Sequence, residues 1–276
     1  MDRVPYEFVD SVLAGLSRDT INNIKVQSRD WSHAARIYKN KLREVVCNIL
    51  SADNGFKFRI ECTGPNYPET ITINRLDPRF HRVIGLNVQL EGIAECDSLD
   101  MMNLSQMIAY VSLFPLEFIN IDCSKELLDE SDVSDSDVSE SDSNESWTDF
   151  LKKLMEELVK CEPTTKSLDL GFAPESVGFL RKMLQNPDVT TVNLTGEWDL
   201  RDDDFKEIFA CWASQLEREC TTINMETDEN LEVEFETWMV PTERLSWMNC
   251  FTLQYEDSVV YVECDSDSCT VTFIRT

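Results

Sequence analysis

Only two histidines, His33 and His81, and ten cysteines are available in 276 residues as bases, nucleophiles or soft metal ligands. His33 follows Trp31-Ser32 in a helix-like run, and His81 sits in the stretch Arg79-Phe80-His81-Arg82. Neither has a partnered nucleophile, so both read as surface or packing histidines. The cysteines, at 47, 62, 96, 123, 161, 211, 220, 250, 264 and 269, include no CxxC pair. Structural zinc needs closely paired thiolates or imidazoles, so no metal site is expected. Most of these cysteines lie in apolar runs such as Val45-Val46-Cys47, which predicts buried thiols behaving as small hydrophobes. With eight glycines the chain holds no GxGxxG, GxxxxGK[ST] or GxSxG motif. No catalytic residue, cofactor or enzymatic activity is therefore expected.

Charge narrows the partners. Twenty-five Lys and Arg stand against 52 Asp and Glu, a formal net charge of −27. Such a chain lacks the field that releases counterions from a phosphate backbone, so nucleic acid and anionic membrane are excluded as partners. No window approaches ~18 uninterrupted apolar residues, and the N-terminus has no charged-then-apolar signal layout. The expectation is a soluble protein of a reducing compartment, cytoplasmic or nuclear.

The acidity has an address. Residues 129–146, DESDVSDSDVSESDSNES, carry eight acids, seven serines and no base. Two valines cannot offset chain entropy by burial, which predicts a disordered acidic loop. It fails as a calcium loop: starting at Asp135, Glu140 stands where glycine is needed and Ser146 where glutamate is needed. Ser134, Ser139 and Ser146 each have an acid three residues on, the pattern of an acid-directed kinase site, so these serines are phosphorylation candidates.

The elements around this loop fall into three kinds. After Pro5, apolar residues at helix spacing run through Leu16; a short helix holds Ile21 and Ile24; a third helical run extends from Trp31 through Val45 to Leu50, ended by Asp53-Asn54-Gly55. From Phe56 the chain alternates at period two, and strand-like segments continue at Ile71, Ile73 and Val83–Leu90. Beyond that a strand–helix unit recurs. The strands TTKSLDL, TTVNL and TTINM alternate with the helix-like runs ESVGFLRKML and DFKEIFACWASQL. Leu116–Cys123 followed by Trp147–Val159, and Leu86–Leu90 followed by Leu104–Leu113, extend the series upstream. Repeated βα units imply an α/β fold: an irregular leucine-rich-repeat-like solenoid, its parallel sheet covered by helices on one face. Phe251–Tyr255, Val259–Cys264 and Cys269–Ile274 read as an antiparallel β meander capping the sheet end. The expected divisions are 1–50 helical, 51–128 the first part of the repeat domain, 129–146 the loop, and 147–276 the second part with its cap.

The first helical stretch carries a resemblance. Val4-Pro5, the apolar series to Leu16, then Ile21, Ile24, Ser28 and Trp31, resembles an F-box over about residues 4–43, with Gln27 where an apolar residue is usual. The start VPYEFVDSV, with Phe179-Leu-Arg-Lys-Met-Leu184 and Thr195-Gly-Glu-Trp198 further on, is similar to the F-box-like proteins of expanded nematode families. The resemblance implies an adaptor that docks on a Skp1-like linker protein of a cullin-type ubiquitin ligase while the repeat body presents a substrate. Val4, Pro5, Val9, Leu13, Leu16, Ile21, Ile24 and Trp31 would form the linker surface or its supporting core. The other reading of the same residues is the internal core of a helical cap, in a stand-alone repeat-based binding module. The substrate is unspecified; the −16 of residues 147–276 favours a basic protein, mainly through encounter rate.

Overall fold

The computed structural model describes residues 5–16, 18–24, 29–52, 55–63, 70–71, 76–77, 79–89, 104–123, 141–196, 198, 202–213, 220–226, 240–245, 248–255, 258–264 and 268–275. Three helices come first: α1 (Tyr6–Gly15), α2 (Arg18–Asn23) and α3 (Arg29–Lys41). Pro5, with no N–H to lose, stands just ahead of α1 as its N-cap, one place earlier than a first-turn position. Val9 and Leu13 of α1, Ile21 of α2, and Ala34, Ala35 and Tyr38 of α3 bury their side chains against one another and Leu42. Phe80 completes this small core from outside the helices, its ring 5.2 Å from that of Tyr38. Lys41 and Arg79 lie over the same ring, at 5.1 and 4.9 Å. The Tyr38 hydroxyl donates to the Asp10 carboxylate at 3.0 Å; burial and that carboxylate raise its pKa well above 10.0.

The remaining described elements are α/β. The strands β1 (Arg43–Ala52), β2 (Gly55–Cys62), β3 (Thr70–Ile71), β4 (His81–Gln89), β5 (Leu116–Ile121), β6 (Thr165–Gly171), β7 (Thr191–Thr195) and β8 (Cys220–Glu226) are followed by β9 (Val240–Leu245), β10 (Met248–Tyr255), β11 (Ser258–Cys264) and β12 (Ser268–Arg275). The described strands form one sheet, in the order β3-β2-β1-β4-β5-β6-β7-β8-β12-β11-β10-β9. Its centre is parallel, from β1 through β4, β5, β6 and β7 to β8. Antiparallel hairpins flank it on both sides.

Parallel neighbours need crossovers. Three are supplied by α4 (Leu104–Val111), α5 (Ser141–Cys161) and α6 (Ser176–Leu184), and a fourth by α7 (Asp202–Ala213). These helices bury Met107 and Ile108, Leu154 and Leu158, Phe179 and Met183, and Ile208 and Trp212 against the Leu, Ile and Val of one sheet face. The Cys47 thiol, 3.6 Å from the Met107 sulfur, marks that face on β1. Gly171, at the end of β6, is required by a close approach: a Cβ there would stand 2.5 Å from the Cys123 backbone nitrogen, which cannot swing aside.

The structure redraws two boundaries. The third helical run ends at Lys41 rather than Leu50, and Arg43–Ala52 is a strand. The physical reason is a change of period: Val45, Cys47 and Ile49 alternate with Val46, Asn48 and Leu50, and β-branched neighbours favour the pleated chain. The helical head accordingly stops at residue 42, short of the expected 50. At the second boundary α5 begins at Ser141, so residues 141–146 of the acidic stretch are helical. Residues 129–140 lie outside the described residues. β9 is an additional strand, and Pro241 within it is accommodated beside an irregularity in its pairing with β10.

Candidate functional site

Helices cover one face of the parallel strands, so any site built by the sheet itself falls on the other, polar face. Period-two alternation places a fixed row of side chains there. Reading across the register, Asn48 pairs with Asn87, Asn87 with Asn120, Asn120 with Asp169, Asp169 with Asn193, and Asn193 with Asn224. Thr270 of β12 continues the row across the antiparallel junction. All seven are half-buried.

This row is hydrogen-bonded in two directed chains. In one, Thr270 Oγ1 donates to Asn224 Oδ1 at 3.1 Å, and Asn224 Nδ2 donates to Asn193 Oδ1 at 2.8 Å. Asn193 Nδ2 then donates to the Asp169 carboxylate. In the other, Asn87 Nδ2 donates to Asn48 Oδ1 at 3.0 Å and Asn48 Nδ2 to Glu61 Oε2 at 3.2 Å. Glu61 is held in turn by the Arg59 guanidinium. Each chain ends on a carboxylate, and there is a reason. An ionised carboxylate only accepts, whereas an amide both donates and accepts, so the acid at the end fixes the direction in which every amide points. Charge assistance strengthens the terminal bond.

A test of that polarity is available at Asp169. Asp169→Leu removes the terminal acceptor and leaves the half-buried Asn193 amide without it, with an expected loss of about 1–3 kcal/mol of unfolding free energy. Asp169→Asn retains an acceptor oxygen and should cost less than ~1 kcal/mol. Urea unfolding of both variants checks this; equal losses from the two would sink the directional account.

A second row runs beside the first, through Val46, Gly85, Phe118, Ser167, Thr191 and Thr222. Gly85 has a specific reason to lack a side chain, because a Cβ there would meet the Phe118 ring at 2.2 Å. Phe118 thus lies over the neighbouring strand. Nearby, burial draws the pKa of the Arg82 guanidinium below its ordinary value, while Glu44 and Glu117 oppose the shift. The polar face therefore offers amides, hydroxyls, the two carboxylates of Asp169 and Glu61, and a half-buried aromatic ring. Amides, hydroxyls and carboxylates can donate and accept hydrogen bonds, and the ring offers a stacking surface.

The residues singled out from the sequence are distributed differently. Val9, Leu13 and Ile21 are interior to the helical head, and Leu16, Ile24 and Trp31 pack partly buried against that interior. Pro5 is exposed, as are Tyr6 (46%) and Phe8 (54%) beside it. Val4 lies outside the described residues. Of the phosphorylation candidates, Ser134 and Ser139 also lie outside them, and Ser146 falls within α5. His33 is exposed, and His81 accepts the Asp77 backbone N–H on Nδ1 at 2.8 Å. Among the described residues no group of three His, Cys, Asp or Glu side chains is placed to hold a metal ion. No helix of the described residues is long and apolar enough to cross a membrane.

Within any single strand the sequence does not mark the amide row as a site. Its signal is the triplet apolar–Asn/Asp–apolar in Cys47-Asn48-Ile49, Leu86-Asn87-Val88, Ile119-Asn120-Ile121, Leu168-Asp169-Leu170, Val192-Asn193-Leu194 and Ile223-Asn224-Met225. Comparison with family models, curated proteins and solved structures finds no match to this chain.

Proposed function

We propose that this chain is a non-enzymatic protein-interaction adaptor of F-box-like design. Its helical head engages a Skp1-like linker protein of a cullin-type ubiquitin ligase. Its body, an irregular βα solenoid, offers the polar sheet face to a protein substrate. The observation that supports this reading is that head and body have separate hydrophobic cores. The head's own folding is satisfied by Val9, Leu13, Ile21, Tyr38 and Phe80, yet α1 still carries Tyr6 and Phe8 in solvent. Large exposed apolar side chains beside a proline-led helix start are what a docking helix presents. The body contributes backbone-like hydrogen-bonding groups at regular spacing, suited to an extended or irregular protein surface. A basic substrate is favoured by the net charge, chiefly in its rate of encounter.

The test is co-expression of the full chain with a Skp1-like protein and capture through the chain. Wild type is expected to retain the linker protein. Tyr6→Ser/Phe8→Ser, which changes exposed positions and leaves the head core intact, is expected to weaken retention at least ~10-fold. Absence of retention by folded wild type would falsify the ligase connection. It would leave the stand-alone binding module, in which the polar sheet face acts without a ligase.

A further inference from the structure

Cysteines 264 and 269 end β11 and begin the main pairing of β12, and they face each other directly in the antiparallel register. Both side chains lie on the helix-covered face, buried in the main core. Their sulfurs are 2.7 Å apart. A relaxed sulfur–sulfur contact in this same core, Cys47 to Met107, is 3.6 Å. Antiparallel partners have Cα atoms ~4.5–5.5 Å apart, inside the range a disulfide spans. Two thiolates sharing one zinc ion, each ~2.3 Å from the metal in tetrahedral geometry, would stand well over 3 Å apart, so the separation favours a bond between the sulfurs over a shared ion.

We propose that Cys264 and Cys269 are an oxidisable pair that closes the β11–β12 hairpin with an intrachain disulfide. The oxidant is a low-molecular-weight disulfide such as oxidised glutathione. One cysteine thiolate attacks a sulfur of the oxidant, breaking its S–S bond and releasing one thiol. The second cysteine thiolate then displaces the remaining half from the mixed disulfide, releasing another. One S–S bond forms and one breaks; the two cysteine protons end on the two released thiols. The protein pair is oxidised by two electrons and the small disulfide reduced by two. Because both sulfurs are buried, exchange proceeds through transient opening of the hairpin end.

The neighbouring thiol does not compete. Cys250 is paired with Glu263, one residue out of phase with Cys264, so its side chain belongs to the opposite face of the sheet. The bond would fix β12, and β12 is the strand that joins the antiparallel cap to β8. Oxidation therefore acts on the attachment of the cap to the parallel body rather than on the cap's free edge.

The full chain, fully reduced, is equilibrated in glutathione buffers of graded oxidised-to-reduced ratio, native and in urea. Each sample is quenched by alkylation under denaturing conditions and digested with trypsin. The fragment Leu245–Arg275 contains Cys250, Cys264 and Cys269. In oxidising native samples it is expected to lose two hydrogens and carry one alkyl group, on Cys250. The equilibrium constant for its formation is expected to be on the order of 100-fold larger in the native than in the unfolded chain, since a bond compatible with the fold is favoured by folding. Cys264→Ala and Cys269→Ala should each leave the other two cysteines alkylated at every ratio. Three alkylated cysteines in oxidised native wild type, a disulfide to Cys250, or equal constants in native and unfolded chains would each overturn the proposal.

Discussion

Trp212→Ala is expected to lower the unfolding free energy by about 3–5 kcal/mol, the range for deleting a large aromatic from a core. Its indole is 1% exposed and sits where four elements converge. Nε1 donates to Thr221 Oγ1 of β8 at 3.2 Å, and that hydroxyl donates to the Val189 carbonyl, just before β7, at 3.2 Å. The ring centroid is 5.6 Å from that of Phe273 on β12, and the Arg275 guanidinium lies over the indole at 5.6 Å. Truncation thus opens a cavity, leaves the buried Thr221 hydroxyl short of a donor, and frees one wall of the Phe273 pocket. Trp212→Phe retains most of the packing and loses the N–H, so it should cost nearer ~1–2 kcal/mol. Urea unfolding followed by far-UV circular dichroism checks both, because the signal does not depend on the mutated tryptophan. A loss below ~1 kcal/mol for Trp212→Ala would mean that the antiparallel cap is not energetically joined to the parallel body.

That junction also shows what was legible beforehand. The helices α5, α6 and α7 and the strands β6, β7 and β8 follow from hydrophobic periodicity, because each buries one stripe or one face against the next. The cap strands β10, β11 and β12 follow from alternation broken by acidic turns. The chain from Arg43 to Leu50 misleads for a definite reason. Val45, Val46, Ile49 and Leu50 satisfy a helical i, i+4 spacing as well as both faces of a strand buried on two sides, and periodicity alone cannot separate the two. Pairing decides it: β1 lies between β2 and β4, where its backbone groups are all offered partners. The polar face is a different case. A single Asn between two apolar residues is unremarkable in any one strand. Only the lateral register turns Asn48, Asn87, Asn120, Asp169, Asn193 and Asn224 into a row, and register is set by crossovers of unequal length. The Cys264–Cys269 pairing is likewise hidden, since a spacing of five residues acquires meaning only once the β11–β12 register sets the two cysteines opposite each other.

The second large effect is a loss of stability in alkaline solution, and its sign follows from where two thiols sit. Cys47 is wholly buried between β2 and β4, beside Met107, and burial pushes its pKa from 9.0 up to about 12. Cys123, following β5, is likewise raised to about 12, by burial first and then by Asp122 and Glu175. In the unfolded chain both thiols ionise near 9.0. Between that pH and about 12 the unfolded state therefore binds fewer protons than the folded one, so stability falls as pH rises. Below 9.0 the contribution of both groups is fully present. Each thiol adds a slope of roughly 1 kcal/mol per pH unit within that window. The hydroxyl of Tyr38 acts in the same sense, from a higher starting point of 10.0. Under reducing conditions, unfolding midpoints measured between pH 8 and pH 11 should fall steeply for wild type, and Cys47→Val/Cys123→Val should flatten the profile by roughly 2 kcal/mol per unit. Valine removes the ionisable proton, and the strain of its larger side chain is the same at every pH, so a change of slope reports titration rather than packing. Parallel profiles for the two proteins would show that these thiols reach water before the chain unfolds.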